Sequence, residues 1–337
     1  MSRILVTGAT GMVGSALTRR LVDEGHTVRI FRRASSSLDL LGDVQNTVEH
    51  ALGEIASLAD LDAAMDGVEQ VYHTAGYVGF GGAKARARLH AVNVRGTANV
   101  VDAALKAGVQ RMVHTSSVAA LGRTGDPDKL TDETNIWTPS PHNSAYARSK
   151  YDAELEVQRG IAQGLDAVIV NPSLIFGRTR AGENTQKIAE DVRDGRIPAI
   201  PAGATAVVDA LDVVDGLLRA MDAGQTGERY ILASENLTWQ QILSGFAHAF
   251  GTALPNRRLG LTGSMRLARV TEFIGWATRT RPLITRETAR QASSVYRYSN
   301  DKARAHLGCT FRPFTETARR LAQALQAGPH PHAAAPR

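Results

Sequence analysis

The chain has 337 residues, 43% hydrophobic and 21% charged, the balance of a globular protein with one large domain or two unequal ones. It has no run of about 18 apolar residues, which excludes a spanning helix and stable membrane insertion; its one cysteine, Cys309, excludes an internal disulfide and suits a reducing compartment. The net charge of +6 is uneven, with 15 Lys/Arg against 4 Asp/Glu from Gly251 onward and 24 against 29 before it. The basic third reads as a solvated face or as a surface for an anionic substrate. Aromatic residues are 5% of the chain and do not interleave with the basic ones, which argues against nucleic-acid binding. Met1 leads within three residues into the first strand, leaving no room for a secretory signal, so the expected location is the cytoplasm.

Residues 2–33 predict a strand, a glycine turn, a helix and a second strand. Ile4, Leu5 and Val6 suit a buried parallel strand. Residues 13–24 place Val13, Leu17, Leu21 and Val22 on one helical face, and Thr27 to Phe31 is β-branched and apolar. In the turn between, Gly8 permits a tight bend, Gly11 lets backbone approach a pyrophosphate, and Gly14 lets helix pack close to strand. The phosphates then rest on free amides at the helix N-terminus. The second strand ends in Arg32-Arg33, followed by Ser35-Ser36-Ser37, with no acid before Asp39. An NAD site places an acid here for the ribose 2′-hydroxyl. Two guanidinium forks suit a 2′-phosphate instead, so the cofactor reads as NADP(H), with NAD(H) second.

Further elements follow in order. Residues 48–54 predict a third strand, 57–66 a short helix, 71–75 a fourth strand, and 85–107 one long helix containing Asn93. Between them Tyr77 to Gly82 forms a loop at a substrate mouth, with Tyr77 and Phe80 as candidate contacts. Arg111 to Thr115 predicts a fifth strand, followed by Ser116, Ser117 and Leu121. Tyr146 and Lys150, four apart, share one helical face. A free tyrosine has a pKa of about 10. A neighbouring ammonium and an oxidised nicotinamide would lower it, letting Tyr146 exchange a proton with a carbonyl or alcohol oxygen. A sixth strand is predicted at 168–172, then helices at 184–194 and 213–222, a strand at 229–232, and a helix from Trp239 capped by Thr238. An amphipathic helix spans 265–278, and 300–308 and 313–326 complete the chain before a Pro/Ala-rich tail that reads as disordered. His330 and His332 in that tail do not make a metal site, and no metal is expected.

Thr7-Gly8-Ala9-Thr10-Gly11-Met12-Val13-Gly14, Ser116-Ser117, Tyr146-Ala147-Arg148-Ser149-Lys150 and Asn171-Pro172 together resemble the extended short-chain dehydrogenase/reductase superfamily, the NAD-dependent epimerase/dehydratase family. Asn171-Pro172 with Arg32 looks most like its dihydroflavonol 4-reductase-like and 3β-hydroxysteroid dehydrogenase-like branch. The resemblance implies that Thr7, Gly8, Thr10, Gly11, Met12, Val13 and Gly14 cradle the cofactor phosphates. It places Glu54 and Ile55, where the family has Asp-Leu, at the adenine, and Thr74, Ala75 and Gly76, after His73, beside adenine and ribose. Thr115 would border the cofactor, and Asn171, Pro172 and Ser173 would close over the nicotinamide. It selects Ser117 over Ser116 as the group holding the reacting oxygen, gives Lys150 the nicotinamide ribose, and makes Asn93 a support for Lys150. Phe176 and Arg178 stand where relatives have Tyr and Pro, which implies a pocket wall apolar at one position and basic at the other. The segment Val207 to Asp215 resembles one that returns to the sheet. The family often dimerises through the helices bearing Asn93 and Tyr146.

The expected fold is an α/β Rossmann-type doubly wound parallel sheet with a smaller, mostly helical C-terminal substrate lobe. Its expected division is 1–178, 179–327 with about 205–232 returning to the core, and a tail at 328–337. The expected activity is hydride transfer between NADP(H) and a ketone, aldehyde or secondary alcohol. The substrate would be a small, apolar or aromatic molecule, with Tyr77, Phe80, Leu121, Phe176 and Trp276 lining its pocket. The alternative is a nucleotide-sugar epimerase with tightly held cofactor. A 4,6-dehydratase fits less well, because Val118-Ala119 stand where those enzymes have Asp-Glu. A non-catalytic NADP sensor would usually lose the tyrosine or lysine.

Overall fold

The computed structural model describes residues 2–79, 81–123, 126–183, 185–278 and 286–327. In chain order the elements are β1 (Arg3–Thr7), α1 (Met12–Asp23), β2 (Thr27–Arg32), β3 (Glu49–Leu52), α2 (Leu58–Ala64), β4 (Gln70–His73), α3 (Ala83–Leu89) and α4 (Gly96–Ala107). Next come β5 (Arg111–Thr115), β6 (Leu130–Thr131), α5 (Ala145–Ala162), β7 (Ala167–Pro172), β8 (Leu174–Phe176), α6 (Gln186–Arg193), β9 (Ile200–Pro201), β10 (Ala204–Asp209) and α7 (Ala210–Ala223). The chain continues through β11 (Arg229–Leu232), β12 (Glu235–Thr238), α8 (Trp239–Phe250), β13 (Arg258–Leu259), α9 (Leu261–Thr278), α10 (Arg286–Ser293), β14 (Arg297–Tyr298), α11 (Asp301–Leu307) and α12 (Phe314–Gln326).

Seven strands form one parallel sheet in the order β3-β2-β1-β4-β5-β7-β11. The strand order reverses between β1 and β4, and the carboxyl ends at such a switch point form the ligand crevice of an open α/β sheet. Alternation along β1 explains the two layers of core. Ile4 and Val6 pack with Leu17 and Leu21 of α1 and Leu217 of α7, while Leu5 packs through the other face with Val100 and Val101 of α4. The sheet is therefore covered on both faces, as a parallel sheet requires.

The smaller lobe has its own core, in which Phe176, Phe246 and Phe314 meet with ring centroids 5.3 Å apart. Arg320 pairs with buried Asp209, and Arg312 with buried Asp212, tying α12 and the segment before it to the start of α7.

Two expectations need adjustment and one falls outside the described residues. The long helix expected over 85–107 is α3 and α4 joined by a π-helical turn at His90–Arg95, which carries Asn93. Such turns widen a helix locally and often occur at functional sites. The segment Val207 to Asp215 returns to the large sheet by packing rather than by pairing, with Val208, Val213 and Val214 in its core. Its strand β10 lies between β8 and β12 in a separate three-stranded sheet, and it is β11 that pairs with β7. The disordered reading of 328–337, with His330 and His332, falls outside the described residues.

Candidate active site

The glycine turn lies at the switch point with the geometry a dinucleotide needs. Gly8 has φ +73, and a Cβ there would stand 2.5 Å from Ala75 N; a Cβ on Gly14 would stand 2.2 Å from Gly8 O. These contacts hold β1, the start of α1 and the loop after β4 closer together than side chains allow. Gly11 caps α1 with no side-chain hydrogen bond, so the first amides, from Met12 and Val13 on, stay free for an anion. Thr7 Oγ1 bonds His73 Nδ1 at 2.7 Å, and Thr74 Oγ1 donates to Thr7 O at 2.7 Å, which ties the two loops to each other. His73 itself is fully buried, with Nε2 3.0 Å from Thr97 Oγ1 and its pKa pushed down to about 3 by burial; it brackets strand to helix.

Arg32 ends β2 and Arg33 follows it, half-buried and exposed respectively. Arg32 Nε lies 2.8 Å from His50 Nδ1, and among the described residues neither guanidinium is paired with a carboxylate. Glu54 is exposed, and its amide is held by Asp60 Oδ2 at 2.9 Å. Ile55 packs under Gly96 at the foot of α4, and its carbonyl accepts from Asn99. The free amides and the side-chain-free cradle fit a dinucleotide, and Arg32 and Arg33 stand without a carboxylate partner at the end of β2.

The catalytic candidates come together at the carboxyl ends of β4 and β5. α5 starts at Ser144, whose hydroxyl accepts from Ala147 N, and presents Tyr146 and Lys150 one turn apart. Lys150 is buried, donates to Thr115 O at 2.8 Å, and has its pKa lowered to about 8 by burial against the opposing pull of Glu154. A Cβ on Gly76 would sit 3.6 Å from Lys150 Nζ and 3.8 Å from Asn93 Oδ1, so the loop after β4 borders both. Ser117 Oγ accepts from Ala119 N at 3.2 Å and lies close enough to the Tyr146 phenol to act on its pKa. That phenol lies above its ordinary pKa because burial outweighs the effect of Ser117 and the positive charge of Arg123. The sequence alone suggests a lowering by the Lys150 ammonium together with an oxidised nicotinamide; among the described residues the charge felt at the phenol is that of Arg123.

Asn93 is buried and locks the neighbouring loop. Its Oδ1 accepts from Tyr77 N at 2.7 Å, and its Nδ2 donates to Tyr77 O and Ser149 Oγ, both at 2.9 Å. Asn171, fully buried on β7, donates to Ser117 O at 3.0 Å and Glu154 Oε1 at 2.6 Å, fixing the backbone of the serine. Pro172 follows it in β7, and Ser173 N donates to Leu232 O while its hydroxyl is buried without a partner. Thr115 Oγ1 is likewise buried and unpartnered, while the Thr115 carbonyl accepts from Lys150.

The expected substrate contacts divide. Tyr77 borders the cleft with Arg88 stacked on its ring. Leu121 is fully enclosed by Val118, Ile231, Tyr296 and Tyr298. Phe176 was expected to wall the pocket, but it is fully buried between Phe246 and Phe314 and belongs to the lobe core. Arg178 is half-buried and its charge reaches Arg19 on α1, toward the glycine turn. Phe80 and the side chain of Trp276 fall outside the described residues.

Three residues near the site escaped the sequence reading. Arg123 lies beside Tyr146. Glu154, one helical turn past Lys150, is buried against Asn171 and Arg229. Arg180 Nη2 donates to Thr10 O at 3.1 Å and Ser37 O at 2.9 Å, joining the two loops that flank the cleft. Only Glu154 had a local signal, the repeat of the four-residue spacing from Tyr146 through Lys150.

A parallel sheet with a glycine cradle at its switch point has the architecture of a dinucleotide-binding α/β protein. Residues 4–233 match the profile of the NAD dependent epimerase/dehydratase family, and the chain belongs to that family. It is 38% identical over 254 residues to the sterol demethylase protein B of Methylococcus capsulatus, covering 74% of this chain and 75% of that protein. To a 3-beta-hydroxysteroid dehydrogenase of Mycolicibacterium neoaurum it is 30% identical over 349 residues, covering 96% and 91%. The crystal structure of gox2253 superposes with a TM-score of 0.82 at 33% identity, covering 97% of this chain and 99% of that one.

Proposed function

We propose that the protein is an NADP(H)-dependent oxidoreductase that interconverts a ketone or aldehyde and a secondary or primary alcohol. The observation that carries this reading is the meeting of Ser117, Tyr146 and Lys150 across the cleft from the glycine turn. When bound, the nicotinamide supplies or takes up a hydride. Ser117 orients the substrate oxygen by a hydrogen bond, and Tyr146 gives that oxygen its proton in the reductive direction and removes it in the oxidative one. Lys150 is placed to bond the nicotinamide ribose, and its charge then favours the tyrosinate when Tyr146 has given up its proton. Asn93 holds the Tyr77 loop against α5, and Asn171 holds Ser117. Arg32 and Arg33 would take the 2′-phosphate. Residues 1–178, joined by about 205–232, would form the cofactor-binding core, and the rest of 179–327 the substrate lobe. The named activity of a 3-beta-hydroxysteroid dehydrogenase among the relatives supports an alcohol–carbonyl substrate pair.

Titration with NADPH and NADH, followed by quenching of tryptophan fluorescence, tests the cofactor assignment. Tighter binding of NADPH by about tenfold or more, lost in Arg32→Ala, is expected. NAD retained through purification would favour an epimerase instead. Tyr146→Phe should lower kcat by about 10²–10⁴-fold while leaving NADPH affinity unchanged; retention of kcat would remove Tyr146 from the chemistry.

A further inference from the structure

At the edge of the large sheet a histidine on β3 holds one of the two arginines beside the glycine turn. β1 and β2 pair in parallel with Thr7 beside Phe31, so Arg32 stands just past the level at which the glycine turn begins. β3 runs alongside, with His50 beside Ile30 and Leu52 beside Arg32. Side chains two residues apart on a strand share a face, so His50 and Arg32 meet on one side of the sheet. Arg32 is half-buried and His50 exposed, which leaves the pair within reach of a ligand.

Arg32 Nε lies 2.8 Å from His50 Nδ1, and His50 Nε2 lies 2.8 Å from Gln45 O in the 3₁₀ turn Gly42–Asn46. Both contacts require the same tautomer. A guanidinium nitrogen can only donate, so Nδ1 must offer its lone pair; a carbonyl can only accept, so Nε2 must carry the hydrogen. Each ring nitrogen therefore fixes the role of the other, and the imidazole is an acceptor aimed at Arg32. The arginine's Nη1 donates to Arg33 O at 3.2 Å, and among the described residues its Nη2 has no partner.

A free arginine side chain samples many rotamers, and holding a ligand with it loses that freedom. With Nε and Nη1 both bonded, much of the freedom is already gone and the plane of the guanidinium is set, while Nη2 stays open to an incoming oxygen. A carboxylate in place of the imidazole would also orient Arg32, but it would neutralise the charge that an anion needs; the imidazole lone pair orients it and leaves the charge. Across the crevice Arg180 bonds Thr10 O and Ser37 O, so the loop after Arg33 is held as well.

We infer that His50 is a specificity-determining positioning residue for the cofactor. It presets Arg32 for a 2′-phosphate and raises the preference for NADPH over NADH through that arginine rather than by a contact of its own. This rests on the NADP(H) reading and adds the residue that makes Arg32 effective in it.

The test is fluorescence titration of the full chain with NADPH and NADH, and with 2′,5′-ADP as competitor. It compares the wild type with Arg32→Ala, His50→Phe, His50→Asn and the double variant of Arg32→Ala with His50→Phe. Phe keeps a ring suited to a strand and removes the acceptor; Asn can place Oδ1 where the histidine has Nδ1 and keeps it. His50→Phe should lower the NADPH-to-NADH affinity ratio by about three- to tenfold, through weaker binding of NADPH and 2′,5′-ADP with NADH unchanged. His50→Asn should recover most of the ratio. In the Arg32→Ala background His50→Phe should change nothing further, because the two residues act as one unit. Where the wild type prefers NADPH, the cofactor reading stands. An unchanged ratio in His50→Phe, an equal loss for both nucleotides, or the same fall with and without Arg32 would then overturn the role of His50 alone. A wild type that binds NADH as well as NADPH would sink the cofactor reading and the positioning role with it. If His50→Phe does not fold, His50→Ala takes its place in the same cycle, with NADH affinity as the check on folding.

Discussion

Burial holds the Lys150 ammonium at about 8, well below a free lysine. The sign of the linkage follows. Below pH 8 both folded and unfolded states carry the proton and the burial penalty is fully felt. Between pH 8 and the unfolded value of about 10.5 the unfolded state binds more protons, so folding stability from this group rises with pH. The penalty at neutral pH is on the order of 3 kcal/mol. Lys150→Met should therefore be inactive, yet at least as stable as the wild type at pH 7. Its advantage should shrink as pH is raised from 8 toward 10, by chemical denaturation at each pH. A variant clearly less stable at pH 7 would show that the bond to Thr115 O and the neighbouring Glu154 outweigh desolvation. Gly14 makes a second residue-scale prediction. With its Cβ position 2.2 Å from Gly8 O, Gly14→Ala should abolish nucleotide binding and destabilise the fold by about 1–3 kcal/mol or more, seen by titration and by the denaturation midpoint.

At the scale of elements, the helices start where local chemistry can hold them. Thr238 and Gln241 form a reciprocal capping box at α8, with Gln241 N donating to Thr238 Oγ1 at 3.2 Å and Thr238 N to Gln241 Oε1 at 2.9 Å. Thr238→Ala should cost about 1 kcal/mol and lower the thermal midpoint by a few degrees without altering turnover, because α8 packs on α12 and α6 rather than on the cleft. A change in kcat would show that the lobe core reaches the reacting atoms. The π-helical turn carrying Asn93 was not legible in the sequence. Residues 85–107 have helical character throughout, and the bonds that Asn93 makes from this turn, to Tyr77 and Ser149 across 16 and 56 residues, exist only in the folded chain.

Across the whole molecule, the lobe and the cofactor crevice are linked by Arg180, which reaches from the loop after β8 to the carbonyls of Thr10 and Ser37. Arg180→Met should weaken NADPH binding by about tenfold and barely move the thermal midpoint, because the bonds it loses are partly solvent-accessible. Fluorescence titration decides; unchanged affinity would reduce Arg180 to a surface contact. The arginines Arg32, Arg33, Arg178 and Arg180 come from segments nearly 150 residues apart, yet the last two lie on the side of the cleft where α1 begins.

By itself the sequence determined the glycine turn, the strand–helix alternation and the Tyr146–Lys150 pair. Each is local: a strand-to-helix bend, a hydrophobic period, and a four-residue spacing on one helix face. The tertiary structure alone decided the rest. Phe176 is apolar whether it lines a pocket or a core, and only its two aromatic neighbours, about 70 and 140 residues later, made it core. Val207 to Asp209 reads as a strand in either sheet, and pairing with β8 and β12 chose one. Arg123 and Tyr146 lie 23 residues apart with no repeating spacing between them. Their neighbourhood exists only once the segment carrying Tyr296 has folded against the serine loop and Arg123 has stacked on its ring, because such a contact belongs to a packed site and not to a residue type.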